Sequence, residues 1–256
     1  MSPLRQHITV TIALLIREMA TRFGNKPGGY VWAVLDPFLH VLLMTLVFQS
    51  IARMPALGPS FPLFFASGYL PFLSYQGMSS FIAGAVKSNR ALFSYPVVSP
   101  FDAVISRFVL QSFTASFVTI LILMAVIAKD DIDSHLNVSE LIGAGALAAM
   151  LGLGVGLINT GLFARFPLYE QIFTIFNRPV FMISGVFFLP DSLPRPYSDY
   201  ILWNPLVHVI MKFRQGIYPE YRAIGLDEFY LLQVVAVLGL VGLAIFSGSA
   251  RALREG

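Results

Sequence analysis

The chain has 256 residues, 56% of them hydrophobic and only 12% charged, with 17 Lys and Arg against 14 Asp and Glu. A soluble domain carries about 25% charged residues, so lipid is the solvent for most of this chain, and the small cationic excess fits lipid headgroups rather than nucleic acid. The absence of cysteine excludes disulfides, thiol catalysis and thiolate metal sites.

Residues 1–29 contain a short apolar run, 8–16, that meets Arg17 and Glu18 rather than a small-residue cleavage site, so a retained segment is expected. Ile8, Ile12, Leu15, Ile16, Met19 and Phe23 share one helical stripe, which Val10 and Leu14 blur. Arg17, Arg22 and Lys26 crowd its end, and a break follows at Gly24, Pro27, Gly28 and Gly29. Tyr30 and Trp32 then open a long apolar run. That order describes an interfacial helix that turns and enters the bilayer. Two readings of the cations stand side by side. They hold a cargo's lipid phosphate at a channel's inner entrance, at about 1 kcal/mol per cation, or they anchor the helix to headgroups.

Six segments can span about 30 Å of hydrocarbon, which needs roughly 20 residues each: 30–51, 61–86, 108–128, 141–164, 171–189 and 229–250. The first holds Asp36, Pro37 and His40, and Arg178 and Pro179 interrupt the fifth. In the fourth, Gly152 and Gly156 form a small-xxx-small pair, which serves either packing within the chain or a dimer seam. Arg5, Arg17, Arg22, Lys26, Lys87, Arg90, Arg107, Arg165, Arg178, Arg251 and Arg254 flank one side, against Arg53 and Lys129 on the other. The positive-inside rule therefore places both termini in the cytoplasm. Segment 87–106, with cations, aromatics and two prolines, suits a short helix across the cytoplasmic face. Segment 190–227 lies outside; its apolar piece 200–210 is too short to span and is broken at Asn204 and Pro205, so it is re-entrant or interfacial beside a cavity.

Several chemistries are missing. The histidines (His7, His40, His135, His208) lack metal-ligand spacing, and there is no nucleophile elbow and no GxxxxGK[ST] phosphate loop. Energy for work against a gradient must come from a partner chain or an ion gradient. Ion-coupled carriers place ionisable groups at the midplane, and these spans are nearly devoid of them. The chain reads as a non-catalytic transport subunit with no cofactor of its own.

The motifs Arg17-Glu18-Met19, Thr21-Arg22-Phe23-Gly24, Gly29-Tyr30, Trp32 and Pro37 resemble the N-terminal signature of type-2 ABC exporter permeases, in the branch that exports capsular polysaccharide. Asn89-Arg90, Leu92, Tyr95-Pro96 and Pro100 resemble that family's coupling helix, and Ser184 to Phe188, Pro190, Leu193-Pro194, Asn204-Pro205-Leu206 and Arg214 its outer region. The resemblance implies an all-α integral membrane fold: six transmembrane helices, an N-terminal amphipathic interface helix, a cytoplasmic coupling helix, and periplasmic gate helices between spans five and six. It also implies a homodimer, two cytoplasmic ABC ATPase subunits that carry ATP and Mg, a periplasmic co-polymerase-type protein, an outer-membrane exporter, and a lipid-linked polysaccharide cargo. Related permeases carry O-antigen, teichoic acid or small hydrophobic compounds.

Under that resemblance Lys87, Asn89, Arg90, Leu92, Phe93, Tyr95 and Pro96 contact the ATPase. Pro190, Trp203, Asn204, Pro205 and Arg214 belong to the periplasmic gate. Lys212 and Arg214 either meet an anionic polymer or pair with Glu220, Asp227 or Glu228. The chain is rich in aromatics (23 Phe, 10 Tyr, 2 Trp), whose faces suit the C–H faces of sugar rings. Tyr30, Trp32, Phe38, Tyr69, Phe181, Phe187 and Phe188 are candidates to line a channel, with membrane belts and packing as the other use of the same residues.

Overall fold

The computed structural model describes residues 3–23, 28–130 and 136–255, and among them there is no strand. Ten α-helices follow in order: α1 (Pro3–Phe23), α2 (Val31–Ile51), α3 (Phe61–Ala83), α4 (Ala85–Asn89), α5 (Pro100–Asp130), α6 (Val138–Arg165), α7 (Pro167–Ile183), α8 (Tyr197–Ile201), α9 (Pro205–Ile217) and α10 (Glu228–Glu255). Four of them, α2, α5, α6 and α10, are long and apolar enough to cross a membrane. α3 is long and free of charge, but Ser67, Ser74, Gln76, Ser79 and Ser80 make it more polar. α7 has 17 residues, which at about 1.5 Å per residue falls short of the hydrocarbon thickness. Apolar side chains cover the outside, as at Phe113, which is 71% exposed. In water such a surface would aggregate, whereas in lipid it is the favourable exterior.

The helix ends follow local rules. Gly28 (φ +92°) and Gly29 (φ +50°) make the turn between α1 and α2, a backbone that side chains oppose. Ser60 caps α3, accepting Leu63 N–H at 3.2 Å and donating to Asp130 at the end of α5. Asn137 caps α6, and Asn204 caps α9 with Pro205 in its first turn.

α3 is the central helix, packed against α6, α5, α2 and α9, and α10 covers another side of α6. The glycines of α6 set these distances. A Cβ at Gly152 would stand 2.6 Å from Tyr75 O and 2.8 Å from Met78 Cβ, and one at Gly156 would stand 2.7 Å from Ile82 Cβ. The small-residue pair therefore seats α3 of the same chain. Gly156→Leu should cost about 1–3 kcal/mol by overpacking and lower the melting temperature in detergent. Gly145→Ala, whose Cβ meets nothing within 4 Å, should leave it unchanged.

One expectation gains detail and two shift. The stripe chosen on α1 faces outward, with Ile8, Ile12, Ile16 and Met19 exposed, while Leu14 and Glu18 are buried against the bundle and Val10 packs there. Both faces of α1 therefore carry apolar residues, the stripe outward and Leu14 with Val10 against the bundle. Segment 87–106 is not one surface helix: it holds α4, a 3-10 turn (Arg90–Ser94) and the first turns of α5, which Ser99 and Asp102 start at Pro100. Segment 171–189 is helical only to Ile183, running through Pro179 before turning at Gly185 (φ +81°).

Candidate functional site

The candidate side chains fall into groups along the bundle, from the end that holds α1 and α4 to the end that holds α8 and α9. At the first end, Glu18, only 5% exposed, accepts Arg107 Nε at 2.9 Å, Arg107 Nη2 at 3.1 Å and Asn89 Nδ2 at 2.7 Å. Arg107 also donates to Phe81 O at 2.7 Å and to Ser88 Oγ. Its guanidinium and that of Arg22 lie 4.4 Å and 4.3 Å from the Phe81 ring centroid. Arg17 Nη1 donates to Asn89 Oδ1, and His7 meets Asp102 at 3.0 Å. Of the three cations expected at an entrance, Arg17 and Arg22 thus meet protein, and Lys26 lies outside the described residues. Asn89 is 1% exposed and ties α4 to α1. Phe93 is also buried and Leu92 packs on the same core, while Lys87, Arg90, Tyr95 and Pro96 are exposed. The partnership of Glu18 with Arg107 escaped the sequence reading, because 89 residues separate them.

Next to this knot a cavity of about 790 Å³ opens between the end of α3, α4, the end of α6 and α7. Gln76, Asn159 and Asn177 line it, with Lys87, Arg90 and Arg178 as cations and Glu170 as the one carboxylate, 3.9 Å from Lys87. Asn159 is 1% exposed; Tyr169 Oη donates to its Oδ1 at 3.2 Å. Phe163, Tyr169 and Phe173 form one aromatic group, with centroids 5.7–6.1 Å apart. Lys87 and Arg90 were expected at an ATPase contact, and no cavity was expected beside them. The available signal was the pair Asn159 and Thr160 in a glycine-rich apolar stretch of α6.

Deeper in the bundle, three of the expected aromatics come together. Tyr69 meets Phe181 at 5.9 Å, and Phe181 meets Phe187 at 4.9 Å. His40, stacked on Tyr69 at 4.4 Å, and Phe72 and Phe48 complete the cluster and were not expected in it. Tyr30, Trp32 and Phe38 lie outside this cluster, with Tyr30 and Phe38 exposed; Phe188 contributes its carbonyl to Arg214.

At the far end Arg214 is fully buried. Its Nη1 donates to Phe188 O at 3.1 Å, Nη2 to Val186 O at 2.9 Å and Nε to Ser67 Oγ at 3.4 Å, and it lies 4.6 Å from the Phe64 ring centroid. Lys212 pairs with Glu140 at 2.6 Å and with Glu228 at 2.7 Å, the second of these among its expected partners. Tyr221 Oη donates to Asp191 at 3.0 Å; burial holds its pKa above the ordinary tyrosine value, so it stays a donor. Pro190 is buried, Trp203 is exposed, and Asn204 with Pro205 starts α9. No metal-holding group of His, Asp and Glu occurs among the described residues.

Residues 9–218 match the ABC-2 type transporter family. The chain is 34% identical to the polysialic acid transport protein KpsM of Escherichia coli, over 94% of this chain and 93% of that one. It is 28% identical to the capsule polysaccharide export inner-membrane protein BexB of Haemophilus influenzae, over 92% and 90%. To the capsule polysaccharide export inner-membrane protein CtrC of Neisseria meningitidis serogroup A it is 27% identical, over 91% and 88%. With its multi-pass helical architecture and a match over most of its length, the chain belongs to the ABC-2 type transporter membrane family.

Proposed function

We propose that this chain is the permease of an ATP-driven exporter that moves a lipid-linked capsular polysaccharide across the bacterial inner membrane. The near-full-length likeness to a polysialic acid transport protein carries this reading, and the missing phosphate loop agrees with it. Six spans are then α2, α3 with α4, α5, α6, α7 with the turn after it, and α10. Both termini lie in the cytoplasm, with α1 in the headgroup plane and Arg17, Arg22 and Lys26 at that level. Two copies pair, and a separate ATPase dimer that carries ATP and Mg docks on residues 87–100. The periplasmic side, α8 and α9 with Pro190, Trp203 and Arg214, faces a co-polymerase-type protein that leads to an outer-membrane exporter. The aromatic cluster around Tyr69, Phe181 and Phe187 borders the sugar path.

Coupling follows from the knot at Asn89. Tyr95 is 62% exposed and projects from a segment whose Asn89 is bonded to Glu18 and Arg17, so a push on Tyr95 reaches α1 and, through Glu18 and Arg107, α5. Tyr95→Ala should reduce export at least ten-fold while the co-purified ATPase continues to hydrolyse ATP. Undiminished export would remove Tyr95 from the coupling path. A chain that never co-purifies with an ATPase would overturn the whole reading.

A further inference from the structure

The cavity beside α7 holds more than a wall requires. Asn159 reaches it from α6, almost fully buried, and its Nδ2 has no acceptor among the described residues. A buried amide donor left unpaired is costly, so an acceptor supplied by a ligand is worth most at this atom. Gln76 and Asn177 add further amides. Lys87, Arg90 and Arg178 set three cations against the single carboxylate of Glu170, and planar guanidiniums match oxyanions in a bidentate manner. Phe163 and Phe173 supply an apolar wall of the kind that meets sugar C–H faces. The volume lies within the ~300–1,000 Å³ of ordinary ligand sites.

Access is also present. No residue of α7 is fully buried, and Ile172, Ile175 and Phe176 face outward from it. A headgroup can therefore slide past α7 from the inner leaflet while its alkyl chain stays in lipid. Arg17 and Arg22, by contrast, are engaged with Asn89 and Phe81.

We infer that this cavity binds the anionic sugar headgroup of a glycolipid: Asn159 Nδ2 donates to a sugar oxygen, Arg90 and Arg178 face the oxyanion, and Phe163 and Phe173 flank the ring. The inference rests on the export reading for the lipid that arrives, but its chemistry is measurable without transport. The full chain, in nanodiscs of phosphatidylcholine, is titrated with dodecyl glucoside 6-phosphate, dodecyl glucuronide, neutral dodecyl glucoside and dodecyl phosphate.

At least one anionic glycoside should bind ten-fold or more tightly than both the neutral glycoside and dodecyl phosphate, and the two anionic probes separate phosphate from carboxylate recognition. Arg90→Gln combined with Arg178→Gln should abolish that preference; both side chains are exposed, so the fold is not at risk. Asn159→Ala should weaken the anionic glycosides three- to ten-fold. Equal binding of the neutral glycoside, equal binding of dodecyl phosphate, or indifference to the double arginine change would each overturn the inference. An unmutated chain that exports but binds none of the probes sinks this inference alone, whereas binding without any ATP-dependent export counts against the transport reading.

Discussion

Glu18→Ala should destabilise the chain by about 3–5 kcal/mol, the cost of leaving one member of a buried ion pair without its partner. Glu18 and Arg107 are each 7% exposed at the side chain, and the carboxylate accepts two guanidinium bonds and the Asn89 amide. Removing it strands the guanidinium and an amide donor together. At roughly 2–4 °C per kcal/mol for a chain of this size, melting in detergent should fall by on the order of 10 °C. Hydrogen exchange should rise along α1 before it rises in α3 or α6, because α1 is held mainly on α5. Glu18→Gln keeps one acceptor and should fall between. Glu18→Met with Arg107→Met removes both charges and should recover much of the loss, since apolar replacement of a buried pair is often neutral. A Glu18→Ala protein that melts with the wild type would show that α1 is held by Leu14 and its lipid-facing side chains alone.

The same residue marks the limit of what was legible in the sequence. Hydropathy located α2 and α10 within a few residues, because lipid rewards continuous apolar length and little else. It set the stripe of α1 apart from Glu18, but it did not show that the carboxylate faces protein while the stripe faces outward. Arg17 read as a cation awaiting an anion, but its acceptor is Asn89, 72 residues away, and such pairing leaves no local signature. Tyr69, Phe181 and Phe187 were legible as candidates for one group, and their rings do meet. His40 was not, since a lone histidine in an apolar span has no partner until the fold brings Tyr69 against it. Asn159 was hidden for the same reason: one amide among glycines gains meaning only from the cations that α4 and α7 bring to its cavity.

Arg214 carries the second large prediction, and here geometry outweighs charge. Its three donating nitrogens fan out to two carbonyls of the turn after α7 and to Ser67 of α3, with no carboxylate in ion-pair contact among the described residues. A buried cation without a counterion is tolerated only while its donors are satisfied. Arg214→Met frees Val186 O and Phe188 O but also removes the buried charge, and these effects partly offset, for a net loss of about 1–3 kcal/mol. Arg214→Lys keeps the charge, and an ammonium on a single stem cannot fork to both carbonyls. The lysine variant should therefore melt below the methionine variant, the reverse of what conservation of charge would give. Both should lose most export while the co-purified ATPase still turns over, because the turn that carries Phe187 and Phe188 is no longer fixed to α3 and α9. Protease nicking at residues 184–190 should rise in both. If lysine restores export and stability, the charge itself is what this position requires, and the fork is incidental.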